Sequence, residues 1–131
     1  NPDSRYNKGD ISVVPEDIVT IIGNLLENSM ESLNEKNDSY KELSIGIFTQ
    51  PHAMMITVDD TGMGISDKNM KHIFENGFST KGNSKKENRG NGLYLINKLV
   101  KKYNGNINVE SETGEGTSFT IELTEEVDEN V

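Results

Sequence analysis

The sequence contains no cysteine and no tryptophan, and only two histidines, His52 and His72. Without cysteine there is neither a disulfide framework nor a thiolate metal site, which fits the cytosol. The two histidines are too few and too far apart to indicate a zinc site. Basic residues are also scarce: 13 Lys and Arg stand against 22 Asp and Glu, giving a net charge of −9. No nucleic acid partner is therefore expected, because a phosphate backbone needs a clustered basic surface.

Long apolar runs and a signal sequence are missing too. No run approaches the roughly 20 apolar residues that cross a bilayer. The opening Asn1-Pro2-Asp3 lacks an initiator Met and the basic and apolar regions of a secretory signal. We expect an excised fragment in which residues 1–14 lead in from an upstream domain, 15–124 form one domain and 125–131 form a disordered acidic tail. Any membrane segment of the parent protein would lie outside it, so no direct membrane contact is expected.

Hydrophobic periodicity predicts helices interleaved with pairs of strands. A helix begins at Pro15-Glu16-Asp17, since Pro and acidic residues suit a first turn, and others are predicted over 67–74 and 93–103. Ser66 is expected to cap the former and Asn104-Gly105 to close the latter in the αL conformation. Alternating residues predict strands over 43–49, 53–58, 107–111 and 118–123. The residues predicted to face inward are Ile18, Ile21, Ile22, Leu25, Leu26, Met30 and Leu33 on the first helix and Leu95, Ile96, Leu99 and Val100 on the last. Adjacent strand pairs indicate an α+β two-layer sandwich, with a mixed, mainly antiparallel sheet covered on one face by about three helices.

Two polar stretches lie where these elements could present them to a ligand. Asn24, Glu27, Asn28 and Glu31 share one face of the first helix and could hold a hydrated Mg²⁺, although a solvated helix face has the same pattern. The second stretch, Asp59-Asp60-Thr61-Gly62-Met63-Gly64, follows a strand. Its glycines allow a sharp bend, and a carboxylate at a strand end can accept a hydrogen bond from an exocyclic amine such as that of adenine. A tight polar turn would look similar.

Two further stretches overlap the two ends of residues 75–91, which lack hydrophobic periodicity and predict a mobile loop. Phe74 and Phe78 could anchor the base of this loop in the core while Ser79-Thr80-Lys81 meets phosphates, or the two rings could serve packing alone. At the far end, Arg89-Gly90-Asn91-Gly92-Leu93 runs into a helix, whose free amides bind phosphate readily. A plain junction between loop and helix is the alternative.

In this order and spacing, the four stretches resemble the boxes of the catalytic ATP-binding domain of histidine kinases. This superfamily (GHKL, with the Bergerat ATP-binding fold) also contains type II topoisomerase B subunits, Hsp90 chaperones and MutL proteins. The match spans about Pro15 to Leu123. The local sequences around Asn24-Leu25-Leu26-Glu27-Asn28 and Gly77-Phe78-Ser79-Thr80-Lys81 are similar to those of kinases that sense citrate and C4-dicarboxylates.

The resemblance implies a role for each matching residue. Asn28 would be the Mg²⁺ ligand and Asn24 would line the same phosphate site, with Asn24 and Glu27 the candidate catalytic residues. Asp60 would accept the adenine amine. The remaining candidate cofactor contacts are Gly62, Gly64, Phe78, Lys81, Arg89, Gly90, Gly92, Leu93 and Thr117. The implied cofactors are ATP and Mg²⁺. The implied partners are a phosphoacceptor histidine domain upstream of residue 1, through which the receptor forms a homodimer, and a response regulator. The domain would be cytoplasmic in a parent protein of the cell membrane.

Two departures and two alternatives accompany the resemblance. Many members place a basic residue where Glu31 stands, so Lys81 and Arg89 would have to meet the phosphate charge, and Tyr94 replaces a usually small residue. One alternative is an ATP-hydrolysing conformational switch, which Asn24 disfavours because an amide cannot act as a general base. Another is a serine kinase of the anti-sigma-factor type. A binding module with a decayed nucleotide site is disfavoured by the complete set of boxes.

Overall fold

The computed structural model describes residues 13–37, 39–78 and 92–124 of the chain. These residues form three helices and four strands in the order α1 (Pro15–Glu35), β1 (Leu43–Gln50), β2 (Ala53–Asp60), α2 (Asp67–Met70), α3 (Gly92–Lys102), β3 (Asn106–Glu112) and β4 (Gly116–Thr124). Glu16 and Asp17 occupy the first turn of α1, as the helix dipole favours. In α2, the Ser66 hydroxyl accepts a hydrogen bond from the Asn69 amide, as the sequence predicts for a cap.

The strands form one sheet in the order β1-β2-β4-β3. All pairings among the described residues are antiparallel, so the sheet has no parallel component there. β2 and β4 are central, and their register places Asp60 beside Thr117. The hairpin between β3 and β4 turns through Gly114, which has φ +86°. The expected α+β sandwich is confirmed, and α1 and α3 cover one face of its sheet.

One hydrophobic core lies between the helices and the sheet. Its central residues are Ile21, Leu25, Ile56, Val58, Ile96, Val100, Tyr103, Phe119, Ile121 and Leu123. The end of α3 is closed as predicted: Asn104 has φ +55°, and the Gly105 amide donates to the Val100 carbonyl at 2.8 Å. A Cβ on Gly105 would stand 1.9 Å from the Glu122 carbonyl oxygen, so only glycine lets the chain pass β4 here.

Some local predictions were wrong. Met30 and Leu95 were expected to face inward but are 55% and 43% exposed, because each stands at the solvent edge of its helix. The helix predicted over 67–74 ends at Met70 and continues as turns. Phe74 and Phe78 do not belong to the core; they are half-buried, whereas Ile73 is buried. The predicted tail, residues 125–131, lies outside the described residues.

Candidate functional site

The carboxylate of Asp60 lies at the end of β2 and is held from two sides. The side chain is 8% exposed. The Ser29 hydroxyl on α1 donates to Oδ2 at 2.8 Å, and the Gly62 amide donates to Oδ1 at 2.8 Å. Each carboxylate oxygen can accept more than one hydrogen bond, so the group is fixed in position yet retains acceptor capacity. This geometry suits recognition of a planar amine donor.

The turn after Asp60 is fastened to α1 at two further points. The Met63 amide donates to the Ser32 hydroxyl at 2.7 Å, and the Lys36 ammonium donates to the Thr61 carbonyl at 2.6 Å. Gly62 lies in the narrow space between them: a Cβ there would stand 2.3 Å from the Ser32 hydroxyl oxygen and 2.9 Å from the Asp60 carboxylate. The glycine is therefore required by close approach of the helix.

The second glycine of this turn packs against the hairpin between β3 and β4. Gly64 has φ +78°, and a Cβ would stand 2.3 Å from the Glu112 carbonyl oxygen. The next amide, of Ile65, donates to the Ser111 hydroxyl at 2.7 Å. Ser111 Oγ is also 2.9 Å from Thr117 Oγ1. Thr117 is 7% exposed, so in this arrangement it supports the turn and the strand beside Asp60.

The polar face of α1 meets the beginning of α3. A Cβ on Gly92 would stand 2.8 Å from Asn24 Oδ1, so the backbone of Gly92 lies directly against that amide. The Asn24 amide nitrogen donates to the Thr20 carbonyl at 2.8 Å, which fixes the orientation of the side chain and directs its oxygen toward α3. Two stretches 68 positions apart, the first and fourth of the sequence pattern, therefore adjoin in the fold.

The other polar residues predicted on this face of α1 differ in their exposure. Asn28, next to the Ser29 that holds Asp60, is half-buried, as is Glu31, whereas Glu27 is exposed. Among the described residues no group of three or more His, Cys, Asp or Glu side chains could hold a metal ion.

The third stretch of the pattern lies beyond α2. Gly77 has φ +85°, and the Phe78 ring lies 5.8 Å from the ring of His72. The Nδ1 atom of His72 is 2.7 Å from a Glu75 carboxylate oxygen. Leu93, in the first turn of α3, packs against the core. The candidates Lys81, Arg89 and Gly90, with most of the predicted loop, lie outside the described residues.

The sequence did not predict four side chains that hold Asp60 and the turn after it: Ser29, Ser32, Lys36 and Ser111. A signal was available for the first: Ser29 is four residues after Leu25 and four before Leu33, so a polar side chain occupies the buried face of α1. A buried hydroxyl needs a partner, and Asp60 provides it. Ser32 is half-buried and has no comparable signature.

A separate polar cluster joins the beginning of α1 to the end of α3. The Tyr103 hydroxyl donates to Asp17 Oδ2 at 2.6 Å and accepts from the Val14 amide at 3.0 Å, while the Lys102 ammonium donates to the same carboxylate oxygen at 2.9 Å. The hydrogen bond from Tyr103, followed by that from Lys102, lowers the pKa of Asp17. Burial, followed by the bond to Asp17, raises the pKa of Tyr103.

Comparisons with known proteins relate this chain to a family of ATPases. A family model described as histidine kinase-, DNA gyrase B- and HSP90-like ATPase matches residues 13–127. The chain is 37% identical over 121 residues to a probable C4-dicarboxylate sensor kinase of Halalkalibacterium halodurans, covering 92% of this chain and 22% of the relative. It is 36% identical to the sensor histidine kinase DcuS of Escherichia coli, over 81% of this chain and 18% of the relative. The sensor protein CitS of Bacillus subtilis is 34% identical, over 83% and 19%. The chain thus spans about a fifth of the length of these relatives.

Solved structures share the fold at lower identity. A mycobacterial sensor histidine kinase, MprB, superposes with a TM-score of 0.68 at 18% identity, covering 87% of this chain and 76% of that one. The catalytic domain of the histidine kinase ThkA superposes with a TM-score of 0.67 at 21% identity, covering 88% and 70%. At these identities the likeness establishes the fold.

Proposed function

The chain belongs to the family of histidine kinase-, DNA gyrase B- and HSP90-like ATPases, and on that basis we propose that it is the ATP-binding catalytic domain of a sensor histidine kinase. The observation that carries the proposal is the buried carboxylate of Asp60, oriented by Ser29 and Gly62. A carboxylate so fixed accepts a hydrogen bond from the exocyclic amine of adenine without reorganising. It disfavours guanine, which presents a carbonyl oxygen at that position.

The phosphates are proposed to lie where α1 meets α3. The oriented Asn24 oxygen and the backbone of Gly92 adjoin there, and the first amides of a helix favour anions. Phosphoryl transfer asks a protein mainly for positioning and charge neutralisation. Asn24 and Gly92 would provide the positioning, while Lys81, Arg89 and Gly90 remain proposed contacts on the strength of their place in the sequence pattern.

The amide oxygens of α1 suit Mg²⁺, which also takes water and phosphate oxygens as ligands, rather than a metal held by protein ligands alone. Mg²⁺ commonly keeps several waters and is bound through one or two protein oxygens together with substrate phosphates. Half-buried Asn28, one turn after Asn24, offers one such amide oxygen. When bound, the ion would neutralise charge on the transferring phosphoryl group.

Transfer to a histidine is favoured over hydrolysis. At the position where hydrolysing relatives use a glutamate, this chain has Asn24, and an amide cannot take a proton from water. Glu27 is the nearest carboxylate in sequence, but it is exposed, whereas Asn24 is half-buried. The curated relatives described above are named as sensor kinases or sensor proteins.

We place the acceptor histidine on a separate dimerisation domain of the same receptor, and the phosphoryl group then passes to a response regulator. The parent receptor is proposed to lie in the cell membrane with this domain on the cytoplasmic side, where ATP is available. The described residues contain no helix both long and apolar enough to span a bilayer. Similarity to a probable C4-dicarboxylate sensor kinase favours a small carboxylate as the stimulus.

A phosphotransfer assay tests this function. The chain is incubated with γ-labelled ATP, Mg²⁺ and a separately produced dimerisation and phosphoacceptor domain from a C4-dicarboxylate sensor kinase. The expected product is acid-labile, base-stable phosphohistidine on that domain, absent when its acceptor histidine is replaced by glutamine. Rapid release of free phosphate, equal with and without the acceptor domain, would instead identify an ATP-hydrolysing switch.

A further inference from the structure

The two edges of the sheet differ in how they are protected from pairing with another chain. Exposed strand edges present unpaired amides and carbonyls, and proteins usually place charges or prolines on them. The edge strand β3, Asn106–Glu112, carries Glu110 and Glu112. The opposite edge strand β1, LSIGIFTQ, has eight residues with no charge and no proline. Only one of the two edges therefore carries the usual protection.

The side chains of β1 are also poorly covered. Ile45 and Ile47 stand opposite the fully buried Val58 and Ile56 of β2, so they belong to the core side of the sheet. Yet they are 48% and 49% exposed, because α1 packs over β2, and α3 over β3 and β4. Phe48, on the other face, is 54% exposed. Within the described part of the chain, no helix makes an extensive contact with β1, and its outer edge has no paired strand.

We propose that the outer edge of β1 pairs with β1 of a second copy of this chain. The strand is self-complementary: in an antiparallel pair centred on Gly46, Ile45 of each copy lies opposite Ile47 of the other. Such pairs keep their side chains on the same face. The four isoleucines then form one apolar cluster on the core side, and the two four-stranded sheets join into one of eight strands.

Charge favours β1 over the other sheet edge, β3, for self-association. Two copies that each carry a net charge of −9 repel one another. Pairing through β3 would place the charged Glu110 and Glu112 of both copies in the interface, whereas β1 has no charge to desolvate or oppose. Of the two edges, the uncharged one therefore lets like-charged copies meet at the lower electrostatic cost.

The area available indicates a weak, reversible dimer. Covering the exposed halves of Ile45, Ile47 and Phe48 with the strand backbone would bury on the order of 400 Å² per copy, below the roughly 800 Å² per partner of a standard interface. A dissociation constant of about 100 µM to 1 mM is expected. In the homodimeric receptor of the proposed function, tethering supplies effective concentrations of about 1 mM, enough to populate the pair. That last step rests on the proposed function; the pairing itself does not.

Sedimentation velocity from about 10 µM to about 1 mM, a range chosen to bracket the expected dissociation constant, tests the pairing. Wild type is compared with Ile47→Lys, and with Asn108→Lys as the control, which adds the same charge to exposed β3. Wild type and the control are expected to form a discrete dimer, and Ile47→Lys to remain monomeric at every concentration. Ser44→Lys, at an exposed position of β1, is the second variant should Ile47→Lys fail to fold, and it too is expected to remain monomeric.

Wild type that stays monomeric at about 1 mM, open-ended aggregates instead of a dimer, or equal behaviour of the β1 and β3 variants would each overturn the proposal. Titration of Mg-ATP into the same samples separates the two proposals, because the β1 variants should keep wild-type nucleotide affinity. Wild type that binds ATP but does not dimerise would overturn the pairing through β1 and leave the proposed function intact. If no sample binds ATP, the proposed function is overturned, whereas the pairing is still decided by sedimentation.

Discussion

Ser29 connects the buried face of α1 to the candidate nucleotide site. Its side chain is 1% exposed and donates to the Asp60 carboxylate. Replacing Ser29 with Ala leaves that carboxylate oxygen short of a donor in a buried setting, which costs about 1–3 kcal/mol. We expect Ser29→Ala to lower the urea midpoint accordingly and to weaken ATP binding. Ser32→Ala, which removes an acceptor from a more exposed bond, should cost clearly less; equal losses would contradict this role for Ser29.

Asp17 and Tyr103 make the stability of the helix layer depend on pH in a defined direction. The bonds from Tyr103 and Lys102 hold the pKa of Asp17 below its ordinary value of 3.8. A carboxylate with a depressed folded pKa stabilises the fold above its unfolded pKa, and that stabilisation is lost as pH falls through the folded pKa. Asp17→Asn should therefore lower stability at pH 7 and flatten the loss of stability below about pH 4.

Thermal melting of wild type and Asp17→Asn between about pH 3 and pH 7, the range in which a carboxyl group titrates, measures this effect. Glu16→Gln, in the same helical turn but exposed, is the matched control and should follow wild type. Parallel curves for wild type and Asp17→Asn across the whole range would show that the cluster contributes no pH-dependent stability.

At the residue scale, the sequence predicts chemistry better than contacts. Asp60 stands out because a carboxylate and two glycines follow a strand, and the structure gives that carboxylate a fixed orientation. Its partner Ser29 is 31 positions away, and its strand neighbour Thr117 is 57 positions away. Neither local propensity nor periodicity encodes which element packs on which, so these partners required the fold.

At the element scale, two glycines of the helix layer have opposite roles. Gly23 faces solvent on α1, where an added Cβ would meet nothing within 4 Å, whereas at Gly92 the Cβ would meet Asn24 at 2.8 Å. Alanine is better than glycine inside a helix by about 1 kcal/mol. Gly23→Ala should therefore raise stability by up to that amount and leave nucleotide affinity unchanged.

Gly92→Ala should instead displace the Asn24 amide and weaken Mg-ATP binding about tenfold, equivalent to about 1.4 kcal/mol. The global change should stay within about 1 kcal/mol, because helix propensity offsets part of the crowding. Urea unfolding and calorimetric titration of both variants measure the two quantities. Equal nucleotide affinity in Gly23→Ala and Gly92→Ala would argue against a ligand site at the junction of α1 and α3.

Elements were predicted well where periodicity is strong and poorly where it is short or marginal. α1 runs from Pro15 to Glu35, close to its predicted extent, because four turns of apolar residues define it. α2 is only four residues long, and no pattern distinguishes such a helix from consecutive turns. Met30 and Leu95 are apolar yet exposed because the width of a buried stripe depends on the neighbouring element. No neighbouring element covers the side of the helix on which either residue lies, among the described residues.

At the scale of the whole molecule, one sheet covered on one face places the candidate site at the ends of its central strands. Asp60 ends β2, Thr117 begins β4 beside it, and α1 and α3 meet near this end. The arrangement leaves β1 outside the helix layer. One-sided coverage by α1 and α3 thus accounts for the exposed side chains of β1.

The proposed function depends most on whether this site binds ATP through Asp60. Mg-ATP is titrated calorimetrically into the wild-type chain and, in parallel, into Asp60→Asn, whose folding is checked by circular dichroism. Wild type should bind in the micromolar range, at about −8 kcal/mol or weaker. The variant should bind at least about 30-fold less tightly, since it loses a charge-assisted hydrogen bond worth about 2 kcal/mol. Folded wild type that binds no ATP would contradict the proposed function. Folded Asp60→Asn that binds ATP as well as wild type would contradict the role of Asp60 in it.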